Sequence, residues 1–212
     1  MALSFDLFGT LVRADRPSEP WDAVAAALSA RSVRVPDDWE AAYRSAHREY
    51  DRGREAPLDE HVRLALASRG VEVAAETATA AVLDAFDSPV TVRDGATEAV
   101  AAAAQRGPVA VCSNCSVPGL VERTLARADI ERRSGRSFDA VVTSVGCGWR
   151  KPHPNSFEST ADAVGVALAD LVHVGDDART DGGAGRAGAE SILLADRSLP
   201  TIAEQLREGE LC

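Results

Sequence analysis

Lysine is all but missing from this chain: of 23 basic residues, one is lysine (Lys151) and 22 are arginine. Arginine presents a rigid fork of donors, whereas lysine is a compact point charge on a flexible stem. A single lysine at the end of an apolar run therefore marks a place that wants an ammonium. Long apolar stretches are missing too. No run approaches the roughly 20 residues of a membrane span, and the N-terminus lacks the basic-then-apolar pattern of a signal peptide. Met1 leads almost at once into the first strand-like run, so nothing is expected ahead of the fold, and the expected location is the cytoplasm. Positive charge is in short supply: the formal net charge is −10, which argues against a general nucleic-acid binder. The arginines between Arg123 and Arg136 are interleaved with acidic residues and read as a solvated helix face. Cysteines number four, at positions 112, 115, 147 and 212, too few for a disulfide framework. Cys112 and Cys115 form one C-x-x-C without the second thiol or imidazole pair that a zinc site needs. Cys112 falls inside an apolar run, where cysteine usually packs. Internal repeats and low-complexity linkers are absent.

What remains is an ordinary soluble composition, 45% hydrophobic and 26% charged over 212 residues, enough for one large domain or a domain with an insert. Apolar runs at Ala2–Phe5, Val109–Cys112, Ala140–Val145, Leu171–Val174 and Ser191–Leu194 alternate with helical patterns. Those patterns cover Thr97–Gln105, Pro118–Ala128, Ser156–Val164 and Leu199–Arg207, with Asp94 and Asn155 as expected caps. Alternation of this kind predicts βαβ units: an α/β, Rossmann-like core with a parallel sheet and helices on both faces, formed by residues 1–13 and 91–212. Residues 14–90 differ in texture. Apolar positions recur there at helical spacing, through Trp21, Val24, Ala25 and Leu28, then Trp39, Ala42 and Tyr43, then Val62, Leu64 and Leu66, then Ala81, Val82 and Ala85. Three to five helices are expected, forming an all-α cap inserted after the first strand.

Four short segments carry the chemistry, each placed after a strand-like run. In open parallel sheets, ligands bind beyond the carboxyl ends of the strands, so the four are expected to share one pocket. Asp6, in Phe5-Asp6-Leu7-Phe8-Gly9-Thr10, is a carboxylate suited to nucleophilic attack if positive charge stands near. Gly9 permits a sharp turn that points backbone N–H groups at an anion. Ser113 and Asn114 offer a hydroxyl and an amide for phosphoryl or carboxylate oxygens, or else a helix cap. Lys151, stiffened by Pro152 and Pro154, offsets negative charge as Asp6 attacks an anionic substrate. Asp176, Asp177 and Asp181 follow Leu171–Val174; three carboxylates in six positions suit Mg²⁺, which takes one or two carboxylates plus waters and substrate oxygens. The plainer readings are a strand-ending Asp with a turn glycine, and an acidic loop in an acidic protein.

The order Asp-x-x-Gly-Thr, Ser-Asn, Lys-Pro, Gly-Asp-Asp-x-x-x-Asp resembles the haloacid dehalogenase superfamily of hydrolases, over the whole chain including the helical insert. The resemblance implies Asp6 as nucleophile, Lys151 as charge-balancing base, and Thr10, Ser113 and Asn114 as substrate ligands. It implies Mg²⁺ held by Asp6, the backbone carbonyl of Phe8, and Asp176, Asp177 and Asp181.

The chain departs from the pattern in two opposing ways. Phosphatases of this superfamily carry a second Asp two residues after the nucleophile, as acid and later base; here that position is Phe8. Dehalogenases carry an aromatic residue there, and halide leaves without a proton. The last motif, however, has the acidic form of the Mg²⁺-dependent phosphatases rather than Ser-Ser-Asn-x-x-Asp. An extra carboxylate beside Asp6 repels an anionic substrate unless a cation sits between them. The expected activity is therefore Mg²⁺-dependent hydrolysis of a small anionic phosphomonoester through an aspartyl intermediate. The alternatives are metal-independent 2-haloacid dehalogenation and a binding or regulatory module in which Phe8 marks lost turnover. No nucleic-acid or membrane partner is expected. Arg44, Arg48, Arg52 and Arg54 are the cap side chains among which substrate choice is sought.

Overall fold

The computed structural model describes residues 1–211; Cys212 lies outside the described residues. The chain opens with β1 (Ala2–Phe5) and β2 (Val12–Ala14), then four helices: α1 (Pro20–Ser29), α2 (Trp39–Arg44), α3 (Leu58–Ala67) and α4 (Ala75–Phe86). It continues through β3 (Val90–Val92), α5 (Ala96–Ala103), β4 (Val109–Ser113), α6 (Leu120–Ala128), α7 (Ile130–Ser134), β5 (Ala140–Thr143) and α8 (Ser144–Cys147). The last elements are α9 (Pro154–Ala163), β6 (Leu171–Gly175), α10 (Gly183–Ala187), β7 (Glu190–Leu193) and α11 (Leu199–Glu208).

Five strands form one sheet in the order β5-β4-β1-β6-β7, and every pairing in it is parallel. Mostly apolar, buried residues fill both sides of the central strands β1, β4 and β6, as a sheet covered on both faces requires. Leu3, Phe5, Val109, Val111, Val172 and Val174 join one large core with residues of α5 and α11. Ala2 and Leu171, facing the other way, pack with Phe157 and Ala161 of α9 and Ala184 of α10. β1 lies centrally, between β4 and β6, and that position delivers residue 6 to the middle of the sheet's carboxyl edge.

Several ends differ from expectation for local reasons. β5 stops at Thr143, whose hydroxyl accepts the Gly146 amide at 3.1 Å and caps a short helical turn. Helix α5 is capped by Gly95 at φ +79°, not by Asp94. Pro154 takes the first helical position of α9, which moves the cap from Asn155 to His153, because proline's missing N–H is harmless there. A two-stranded antiparallel ribbon pairs β2 with β3, Val12 opposite Val92 and Ala14 opposite Val90. It clips together the two ends of the helical segment and was not expected from sequence, since three-residue strands are too short to show a period. Among the described residues, no helix is long and apolar enough to cross a membrane.

Candidate active site

Asp6 begins where β1 ends. Its amide donates to the Val174 carbonyl at 2.9 Å, so the turn after β1 is laced to the end of β6. Gly9 sits at φ +96°, and a Cβ there would lie 2.4 Å from Asp176 Oδ2; only glycine lets the two loops approach this closely. Gly175 has a matching role, since a Cβ on it would fall 2.1 Å from Asp181 Cγ. The carboxylates of Asp6, Asp176 and Asp181 each place an oxygen within 4.8 Å of the others.

Lys151 enters this cluster from the loop between α8 and α9. Asn114 fixes its backbone at both ends: Asn114 Nδ2 donates to the Lys151 carbonyl at 2.9 Å, and the Lys151 amide donates to Asn114 Oδ1 at 2.8 Å. The buried ammonium stands 2.9 Å from Asp6 Oδ1, 2.6 Å from Asp181 Oδ1 and 2.6 Å from the Cys112 carbonyl. Burial disfavours this charge, but Asp6 and then Asp181 outweigh it and hold the lysine pKa above its usual range. Asp6 keeps 10% of its side chain exposed. Its other oxygen accepts no hydrogen bond among the described residues. Burial raises the Asp6 pKa and the neighbouring carboxylates add to this, against the pull of Lys151.

Not every expected site residue turns to the cluster. The Thr10 hydroxyl donates to Asp176 Oδ1 at 3.1 Å, steering that carboxylate. Asn114 spends its amide on Lys151, as above, and so acts on the lysine loop instead of holding substrate directly. Asp177 turns away to the Arg179 amide and guanidinium and is not among the clustered carboxylates. Ser113 Oγ is buried with no hydrogen-bond partner. Asp181 is nearly saturated: Oδ1 receives Lys151, and Oδ2 receives the amides of Asp176 and Asp177, both at 3.0 Å. Its pKa is held below the usual range because the His173 ring and Lys151 overcome the burial penalty.

Two polar residues inside the strands escaped sequence reasoning. His173, fully buried on β6, stands 3.1 Å from Asp181 Oδ1 through Nε2 and 2.8 Å from Ser4 Oγ through Nδ1. Burial and then Lys151 push its pKa down to about 4, leaving the ring neutral at pH 7. The available signal was a histidine and a serine inside apolar runs, which buried strands tolerate only with partners. Glu55, from the loop between α2 and α3, is a third. Its buried carboxylate binds Arg150 at 2.8 Å and accepts from the Ser144 hydroxyl, while Glu55 N donates to the Gly148 carbonyl.

Beside Phe8 lies a cavity of about 130 Å³, lined also by Arg16, Phe86, Cys115, Leu120 and Arg150. Arg52 and Arg54 border a more open cleft that reaches Lys151 and His153. Arg54 lies over Trp149, itself stacked on His153 at 4.0 Å. Arg44 and Arg48 are engaged elsewhere, with Glu40 and Glu60.

The model of the family described as haloacid dehalogenase-like hydrolase matches residues 1–188. The chain belongs to that hydrolase family. No curated protein matches it in sequence. Among solved structures, CbbY from Rhodobacter sphaeroides in complex with phosphate superposes with a TM-score of 0.58 at 20% identity, covering 91% of this chain and 84% of that one. A HAD phosphatase from Thermococcus onnurineus gives 0.55 at 16% identity, over 99% and 97% of the two chains. The L-2-haloacid dehalogenase from Xanthobacter autotrophicus gives 0.52 at 23% identity, over 98% and 82%. At such identities the likeness concerns the fold alone, and it extends to phosphatases and dehalogenases alike.

Proposed function

We propose that this hydrolase is a Mg²⁺-dependent phosphomonoesterase acting through an aspartyl phosphate on Asp6, with α1–α4 as a cap over the cleft. The observation that carries the reading is the charge balance of the cluster. Three carboxylates stand within 4.8 Å, and one ammonium serves two of them. An anionic substrate meets excess negative charge there unless a cation joins the site.

The donors fit Mg²⁺. Asp6 has an oxygen without a partner, and Asp176, tethered by Thr10 through Oδ1 alone, makes no hydrogen bond through its second oxygen among the described residues and lies on the exposed side of the cluster. Two carboxylates from separate loops are what Mg²⁺ typically takes, the rest being waters, carbonyls and substrate oxygens. In this reading Asp6, Asp176 and the Phe8 carbonyl hold the ion, while Asp181, its oxygens already engaged, anchors the neighbours of the ion. When bound, Mg²⁺ neutralises the carboxylates and polarises a phosphoryl oxygen.

The chain's own residues do the rest. Asp6 Oδ1, the oxygen that Lys151 holds, attacks phosphorus through its remaining lone pair, Oδ2 being the oxygen that would face the ion, and the phosphorus–oxygen bond to the alcohol breaks. Lys151 stabilises the charge built up in the attack. The Ser113 hydroxyl donates to a phosphoryl oxygen; left unmet, such a group costs about 1–3 kcal/mol. Water then hydrolyses the aspartyl phosphate, restoring Asp6. Without an acid at position 8 the leaving group departs as an alkoxide or phenolate and takes its proton from water, so activated esters are favoured over alkyl ones.

Phe8 and the partly apolar cavity beside it favour a second reading, dehalogenation of a 2-haloacid, in which Asp6 attacks carbon and halide leaves. Purified protein assayed with p-nitrophenyl phosphate, with and without Mg²⁺, and with 2-chloropropionate separates them. The proposal expects phosphate release that EDTA abolishes and Mg²⁺ restores. Metal-independent chloride release selects the dehalogenase, and the absence of both products points to a binding module.

A further inference from the structure

Beneath the catalytic cluster runs a buried chain of polar groups: Ser4, His173, Asp181, Lys151. Ser4 of β1 and His173 of β6 are partners in the strand register and face the side of the sheet covered by α9, where Phe157 meets the imidazole edge at 5.3 Å between ring centroids. Neither residue reaches the cleft, yet the chain ends on the lysine that holds Asp6.

Counting protons along this chain determines its direction. The Lys151 ammonium has three protons and no acceptor lone pair. Three oxygens stand within 2.9 Å of it, on Asp6, Asp181 and the Cys112 carbonyl, whereas His173 Nε2 is at 3.4 Å. The three protons go to the three nearer oxygens, two of which are charged. Nε2 then needs its own proton, because a bare ring nitrogen 3.1 Å from Asp181 Oδ1 would set two lone pairs against each other. The Lys151 ammonium 3.4 Å from the ring disfavours a second positive charge there, so Nδ1 carries no proton and accepts from the Ser4 hydroxyl at 2.8 Å. With this tautomer Asp181 receives four donors: Lys151, His173 and the amides of Asp176 and Asp177. That matches the roughly four acceptor sites of a carboxylate.

We propose that His173 is a positioning residue of the active site, a neutral imidazole held by Ser4 in the Nε2–H tautomer, which fixes Asp181 and through it both the Lys151 ammonium and the loop carrying Asp176. Two backbone amides fix Asp181 Oδ2, and the imidazole adds the donor that fixes Oδ1 from the buried side. Partners of this kind, one step removed from the reacting groups, typically affect activity by about 10- to 100-fold.

This inference rests on the site being the hydrolytic one but not on which substrate it takes, so its test has one arm without turnover. Protein labelled with ¹⁵N-histidine gives long-range proton–nitrogen correlations for four histidines, and the His173→Gln spectrum identifies the signals of residue 173. The expected pattern is a protonated Nε2 and an unprotonated Nδ1. A ring protonated on Nδ1, with Nε2 accepting from Lys151, overturns the proposal, as does an imidazolium at pH 7. The second arm uses whichever substrate the wild type turns over. His173→Val, which places a strand-favouring β-branched residue there, is expected to lower kcat by about 10- to 100-fold with little change in KM. His173→Gln, whose amide can reach Asp181, is expected to restore most of the loss. Equal impairment of both variants with unchanged circular dichroism indicates packing alone and overturns the proposal; so does an unimpaired His173→Val. Should the valine variant fail to fold, the glutamine variant and the tautomer decide. A wild type inactive on every substrate sinks the functional reading, while the spectrum still judges the imidazole.

Discussion

Position 8 is where, in the proposed reaction, a single side chain sets the chemistry. Phe8 lines the cavity next to the cluster, two residues beyond the proposed nucleophile, where a leaving alcohol would collect its proton. General acid catalysis typically contributes about 10²–10⁴-fold. Phe8→Asp is therefore expected to raise phosphatase turnover at least about tenfold on an alkyl phosphate, and by less on p-nitrophenyl phosphate, whose leaving group needs little help. Steady-state rates on the two esters check this. An unchanged or lower rate on both, in a folded variant that still binds Mg²⁺, counts against the missing-acid account. At this scale the sequence was legible where a polar residue directly follows a strand, as Asp6 and Asp176 show, because parallel-sheet topology sends such residues to one edge. It was silent about partners. Asn114 clamps Lys151, and Asp177 turns to Arg179, because side-chain direction depends on donors brought in from elsewhere. His173 was hidden for the same reason: its partner Ser4 lies 169 positions away.

Between residue and molecule, the strands and their loops carry the argument. The buried strands were readable because a sheet covered on both faces needs near-continuous apolar runs. The ribbon of β2 and β3 was not, and neither were the caps at Gly95 and His153, which depend on backbone φ and on a neighbouring proline more than on residue type. The loops after β1 and β6 interlock through Gly9, whose missing side chain makes room for Asp176. Gly9→Ala combines a positive φ with a contact at 2.4 Å, and strain at such a φ costs about 1–3 kcal/mol. The expected result is a lowered Tm together with weaker Mg²⁺ binding by calorimetry, since Asp176 must yield. A Tm drop with Mg²⁺ affinity unchanged would show that Asp176 is not one of the ion's ligands.

Taken as a whole, the molecule joins a parallel sheet to a four-helix segment at several places, two of which bear on the site: the β2–β3 ribbon, and the loop that sends Glu55 to Ser144 and Arg150. The second junction adjoins Lys151, so the helical segment touches the loop that supplies the site's only lysine. Four stretches separated by most of the chain thus converge on one carboxylate, and the account stands or falls on whether that carboxylate is esterified during turnover. The direct measurement is to quench the protein during steady-state hydrolysis of a phosphomonoester with Mg²⁺ present, reduce it with borohydride, and sequence the N-terminal peptide by mass spectrometry. Reduction converts an aspartyl phosphate to homoserine, and homoserine is expected at position 6 and at no other aspartate. Phosphate release with Asp6 recovered unmodified under rapid quenching would contradict the central claim.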